Sequence, residues 1–131
     1  MDTREAAGLY FATMAARDWD AFAELLTPDV IYEMPQTGER ITGREKYLRF
    51  NREYPGDWAL AVTRLIVDGR TAAGSMNLTL DSQQLVGLVF LEFRDGLIER
   101  ITDFWPEPYE APTVRDHLVE QATPALDRLS I

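Results

Sequence analysis

The chain of 131 residues has no cysteine and a single histidine, His117. Without cysteine there are no disulfides, no thiolate metal ligands and no thiol nucleophile. One imidazole among scattered carboxylates has no zinc or iron spacing, so no metal is expected. Positive charge is also scarce: 13 basic residues face 22 acidic ones, for a formal charge of −9. No local Lys/Arg cluster offsets that excess, and a phosphate backbone or anionic bilayer would be repelled. Neither nucleic acid nor membrane is therefore an expected partner. No apolar run approaches the roughly 20 residues that span a bilayer. The longest, residues 85–91, contains Gly87 and suits a buried strand. The start, Met1-Asp2-Thr3-Arg4-Glu5, lacks the basic-then-apolar layout of a signal peptide, so the cytoplasm is the expected location. Nucleophilic-serine, phosphate-loop and dinucleotide motifs are missing too, and no cofactor is expected.

What is present is an ordinary globular composition, 46% hydrophobic and 27% charged, at the length of one domain spanning 1–131. Ala7, Tyr10, Phe11 and Met14 fall at i, i+3, i+4 and i+7, the apolar stripe of an amphipathic helix that Thr3 would cap. Asp18 caps a second short helix carrying Phe22, Leu25 and Leu26, and Thr27-Pro28 ends it. Residues 30–34 read as a strand closed by Pro35 and the turn Gln36-Thr37-Gly38. Residues 43–54 read as a third helix with Tyr47, Leu48 and Phe50 inward, stopped by Pro55-Gly56. Then the texture changes. Residues 58–68, 70–80, 83–93 and 97–105 are rich in β-branched, aromatic and aliphatic side chains. They are separated by Asp68-Gly69, Asp81-Ser82 and Asp95-Gly96. Asp-Gly between apolar runs signals a hairpin whose two central residues take positive φ, so an antiparallel meander is predicted. Gly74 and Gly87, inside strands, mark sheet bending or close approach. Residues 114–122 resume helical character before Pro124. Helices gathered against a mostly antiparallel sheet make an α+β domain.

Two segments carry a family resemblance. One is Glu33-Met34-Pro35-Gln36-Thr37-Gly38 leading to Ile41-Thr42-Gly43-Arg44-Glu45. The other is Phe93-Arg94-Asp95-Gly96-Leu97-Ile98 leading to Ile101-Thr102-Asp103-Phe104-Trp105. In their order and spacing the chain resembles the nuclear transport factor 2-like superfamily over residues 6–118. Within it the chain is similar to SnoaL-like polyketide cyclases and relatives of ketosteroid isomerase. The resemblance implies a cone-shaped, curved sheet packed against three to four helices that close a hydrophobic pocket. It does not fix function, because that superfamily holds cyclases, isomerases, epoxide hydrolases, dehydratases and binding proteins without chemistry.

Side chains alternate across a strand, so Ile101, Asp103 and Trp105 share one face. The resemblance turns that face inward, and the same logic points Val89, Leu91, Met76, Leu78, Tyr32 and Met34 at the cavity, with Tyr10 and Met14 meeting them from the first helix. The expected ligand wall is Trp105, Tyr32, Met34, Met76, Val89, Met14 and Ile101, built for a small apolar or polycyclic ligand. Methionine at such spacing is also ordinary core filler. Asp103, flanked on its face by isoleucine and tryptophan, should have its pKa raised by desolvation toward the range of a general base. It matches the last-strand aspartate proposed to move a proton in SnoaL-like cyclases. The bland alternative is a strand-end aspartate that only accepts hydrogen bonds. Tyr10, eight residues before Asp18, matches the oxyanion-stabilising tyrosine of ketosteroid isomerases, or is simply a core tyrosine. Where those isomerases carry a base and a second oxyanion-hole acid, this chain has Met34 and Val89, so that mechanism loses two of its three parts.

These residues leave an enzyme and a binding domain both open. The first is a cofactor-independent cyclase- or isomerase-type enzyme acting on an apolar carbonyl compound, with Asp103 and Tyr10 as its catalytic pair. The second is a ligand-binding or accessory domain without turnover, and a pure interaction module with a closed core is a third reading. An epoxide hydrolase would need an Asp–Arg–Asp set; Arg64 is the candidate cation, but a second acid is missing. His117 lies beside Arg115 and Asp116 in a polar stretch and reads as a surface residue unless that helix folds over the pocket. The segment 85–93 is apolar on both faces while helices cover one, so a homodimer through the outer sheet face is expected.

Overall fold

In a computed structural model of the protein, residues 1–120 are described. Three α-helices, α1 (Thr3–Ala16), α2 (Trp19–Ala23) and α3 (Arg44–Arg52), pack against one six-stranded sheet. Its strands are β1 (Leu26–Met34), β2 (Glu39–Thr42), β3 (Trp58–Asp68), β4 (Thr71–Leu80), β5 (Gln83–Arg94) and β6 (Leu97–Phe104). The order across the sheet is β2-β1-β6-β5-β4-β3. All neighbours are antiparallel except β1 and β6, which run parallel. The sheet is curved and unclosed, and the architecture is α+β.

The meander β3–β6 stands where its apolar runs and turn residues put it. Asp95 and Gly96 both take positive φ, at 52° and 83°, as a two-residue hairpin between right-twisted strands requires. The expectation fails at Asp68-Gly69. Asp68 stays in β3, paired with Thr71, and the turn moves one residue on to Gly69-Arg70, where Gly69 alone has positive φ. A glycine at the first central position suffices for the mirror-image turn.

Other differences lie at element ends and in the elements themselves. The cap of α1 is Asp2, whose carboxylate accepts from the Glu5 amide at 2.8 Å, not Thr3, which is the first helical residue. Asp18 caps α2 as expected, but α2 ends at Ala23 and β1 begins at Leu26, so Leu25 and Leu26 lie beyond the helix. Pro28 is tolerated inside β1 because pairing is interrupted there. Contact with β6 lapses between Leu26 and Ile31, and β2 joins only from Ile31, so no ladder bond needs its missing N–H. Strand β2 was not anticipated: Met34 pairs with Glu39 around the predicted turn, with Gly38 at φ 76°. Gly43 is the N-cap of α3, which stops at Arg52. In place of a helix over 114–122 there is a 3-10 turn, Thr113–Leu118, with every residue exposed; residues 121 and 122, with Pro124, lie outside the described residues. A short exposed turn buries no apolar stripe, so little favours an α-helix there.

The core lies between the helices and the concave face of the sheet. Tyr10, Phe11, Phe22, Leu26, Tyr32, Tyr47, Leu91, Ile98 and Ile101 belong to one buried cluster. Among the described residues no helix is long and apolar enough to cross a membrane.

Candidate active site

The concave face ends in a partly open cavity of about 780 Å³, inside the range of pockets that hold drug-sized molecules. Tyr10 and Met14 reach it from α1, Tyr32 and Met34 from β1, Met76 from β4, and Asp103 and Trp105 from β6 and just beyond it. Seven of the nine residues singled out from sequence therefore converge. Val89 and Ile101 do not line the cavity. They face the same way but are wholly buried in the core, where the sheet is already covered by packed side chains.

Asp103 is the chemical centre of this surface. It is 8% exposed. Its Oδ2 accepts from the Tyr32 hydroxyl at 2.8 Å and lies 3.4 Å from the Trp105 indole nitrogen. Its Oδ1 is buried with no hydrogen-bond partner among the described residues. Burial pushes the carboxyl up to about 6, and the two donors at Oδ2 hold it back from rising further. The parallel pairing explains the contact. Tyr32 stands opposite Ile101, so the phenol and Asp103, two residues on, project from one face across 71 residues of sequence.

A second polar pair sits deeper. The Tyr10 and Tyr47 hydroxyls lie 2.6 Å apart. Burial raises both phenols well above their ordinary range, and the nearby Asp103 charge adds to the effect, so both keep their protons. Tyr32 is raised by burial first and by Asp103 second. The rings are locked together: Tyr32 stacks on Tyr47 at 4.9 Å between centroids and packs on Phe50 at 5.3 Å. Helical periodicity turned Tyr47 inward but gave no hint of its hydroxyl partner.

The rim was less legible. Phe50, Asn51, Tyr54, Trp58 and Leu60 line the cavity, although Tyr54 and Trp58 flank what reads in sequence as a helix stop and a strand start. The Arg17 guanidinium stacks 3.8 Å over the Trp58 ring and also donates to the Trp58 carbonyl. Trp105 is fixed twice. Gln36 receives its backbone N–H and donates to its carbonyl at 3.1 Å. Its ring lies on Gly87, where an added Cβ would come within 2.6 Å. That is the close approach predicted for this glycine, and Gly74 makes the same kind of approach to Phe11 at 2.7 Å.

Several candidates fall away from the cavity. Arg64 is exposed and does not line it, so the Asp–Arg–Asp arrangement lacks its cation. His117 is exposed on the 3-10 turn. Glu33 is not a candidate: strand alternation sets it opposite Tyr32 and Met34, and it points outward to Arg40 and Arg100. Among the described residues no three His, Cys, Asp or Glu side chains converge as a metal set.

A curved, open sheet whose helices leave a pocket at one end defines an NTF2-like α+β protein. The SnoaL-like domain model matches residues 8–101, and the chain belongs to that family. A candidate ketosteroid isomerase from Kribbella flavida DSM 17836 is 61% identical over 95% of this chain and 92% of its own, with a TM-score of 0.92. An NTF-2-like protein of unassigned function from Burkholderia xenovorans LB400 is 29% identical over 92% of this chain and 95% of its own, with a TM-score of 0.79. A candidate polyketide cyclase from Pseudomonas putida KT2440 shares the fold at 23% identity, covering 81% of this chain and 92% of its own, with a TM-score of 0.67. No curated protein matches the chain.

Proposed function

We propose that this domain is a cofactor-independent enzyme of cyclase or isomerase type that moves a proton on a small, apolar carbonyl compound, with Asp103 as general acid/base. The carrying observation is the buried Asp103 carboxyl in the wall of a cavity large enough for a substrate. A carboxyl pushed up to about 6 is a stronger base than an exposed aspartate and is still mostly ionised at neutral pH. It takes a proton from the carbon beside the carbonyl. The electron pair moves onto the carbonyl oxygen, and a Tyr10 hydroxyl supported by Tyr47 donates a hydrogen bond to that oxyanion. In an isomerisation the proton returns to another carbon. In a cyclisation the carbanion adds to a second carbonyl of the same molecule, and the new alkoxide takes the proton.

The experiment is hydrogen exchange. Wild-type protein in D₂O should label the α-carbon of cyclic and polycyclic ketones, and Asp103→Asn should not. Equal labelling by both proteins removes the base assignment. A second reading, ligand binding without turnover, is favoured by the family resemblance, which sets Met34 and Val89 where ketosteroid isomerases carry two acids. Binding of the same ketones with no exchange by the wild type would establish it.

The outer face supports self-association as a homodimer. Leu88 and Phe90 are 43% and 50% exposed there, and Phe104 meets Phe90 edge-on at 6.1 Å. Sedimentation at micromolar concentration should give twice the chain mass; a monomer would refute this reading.

A further inference from the structure

We propose that the ligand of this cavity carries positive charge: an amine, protonated or quaternary, borne on an apolar frame. The inference rests on the reading of the cavity as a substrate site and narrows the substrate class to carbonyl compounds that bear such a group. Its basis is the sign of the charge on the walls. Among the described residues no Lys, Arg or His lines the cavity, whereas Asp103 and the exposed Glu107 both do. The chain as a whole is acidic as well, at a formal charge of −9. An anionic substrate, such as a phosphate or a carboxylate, would enter against that field and find no cation to receive it. A neutral substrate gains nothing from the field. A cation is drawn in.

The rim that a ligand meets is aromatic. Phe50, Trp58 and Trp105 are half-buried and Tyr54 is 42% exposed, so these rings keep free area for a guest. The face of such a ring is negative and attracts an ammonium group, most strongly in tryptophan. One ring of the rim already shows the interaction, because the Arg17 guanidinium lies 3.8 Å over Trp58. Phe50, Tyr54 and Trp105 have no stacked cation of the protein's own among the described residues. Trp105 is the best placed of the three. Its indole nitrogen lies 3.4 Å from Oδ2 of Asp103, which sets the carboxylate charge against the positive edge of the ring. Asp103 is 8% exposed and need not touch the guest, since a charge acts over several ångströms where water is excluded. Its carboxyl, pushed up to about 6, is still mostly ionised at neutral pH. Lys46 and Arg49 line a separate, open hollow on α3 with Phe50 and Tyr54, and there Arg49 is paired with Glu53 at 2.6 Å.

The test is binding to the wild-type protein at neutral pH, followed by NMR, of phenols that match in shape and differ in charge. They are the cation para-hydroxyphenyltrimethylammonium, its neutral carbon isostere para-tert-butylphenol and the anion para-hydroxybenzenesulfonate. The cation should bind about tenfold more tightly than the neutral compound, and the anion most weakly of all. Equal or tighter binding of the neutral compound overturns the inference, as does a preference for the anion or binding of none. High salt should erode the advantage of the cation and leave the neutral compound alone. Asp103→Asn should remove most of that advantage while the neutral affinity stays within about twofold; an equal loss for both compounds overturns the inference. The wild-type comparison stands even where the variant folds poorly. In the exchange assay, ketones that bear an ammonium group should be labelled faster than neutral ketones of the same shape. A preference for the cation with no labelling of any ketone would sink the acid/base reading and leave the charge of the ligand standing. Labelling of neutral ketones with no preference for the cation would do the reverse.

Discussion

Glu33 and Asp103 are carboxylates on the neighbouring strands β1 and β6, and they face opposite sides of the same sheet. Outside, Glu33 meets Arg40 at 3.2 Å and also pairs with Arg100, in partial contact with water. Inside, Asp103 has aromatic neighbours and one phenol, and no cation among its hydrogen-bond partners. The outer pair is screened and contributes little to stability. The inner acid burdens the fold whenever it is ionised, which marks it as a functional candidate. The contrast separates surface charges from the one the proposed function puts to work.

The contrast sharpens first in the exchange rate. Loss of the Asp103 base should reduce α-proton labelling by roughly 10²–10⁴-fold, the usual contribution of a positioned general base, whereas Glu33→Gln should leave labelling unchanged. Stability against pH comes next. The folded carboxyl binds its proton more tightly than the model value of 3.8, up to about 6. Between those two values the native state carries more protons than the unfolded chain, so stability falls as pH rises through that window. The loss should be about 3 kcal/mol, complete above pH 6 and absent below about pH 4. Urea unfolding of wild type and Asp103→Asn across pH 4 to 7 isolates it, since only the wild type carries this step. Parallel curves would show that the carboxyl is not desolvated.

A smaller effect is expected at the wall. Gly87→Ala places a methyl group within 2.6 Å of the Trp105 ring, and Trp105 is held by its backbone, so the ring must shift or the strand must give. Overpacking of this kind destabilises by roughly 1–3 kcal/mol. Urea midpoints give the size, and Trp105 fluorescence shows whether the ring moved. The smallest effect belongs to the outer face: Glu33→Gln should change stability by less than about 1 kcal/mol, and less still at high salt. A larger loss would mean that the paired carboxylate outside matters as much as the bare one inside.

How much of this was written in the chain depends on how local the cause was. The meander was readable because alternation and turn residues act over a few positions; alternation also put Ile101, Asp103 and Trp105 on one face of β6, and the family resemblance turned that face inward. Strand β2 was not, because Glu39-Arg40-Ile41-Thr42 is a polar edge with little to bury. The parallel seam of β1 and β6 has no local signature either. It joins Tyr32 to Asp103 and Gln36 to Trp105 across about 70 residues, so the acid could be found from its neighbours in sequence while its holder could not. Val89 shows the opposite error. Alternation gave its direction correctly, but direction does not tell how deep a side chain sits.

The amide of Gln36 grips both backbone groups of Trp105 and so joins a hairpin tip to the end of a distant strand. One edge of the doorway is thus gauged by the reach of a single side chain. A residue gained or lost in that tip would reset the width of the entrance and the tilt of the indole behind it, and would leave the floor of the chamber as it was.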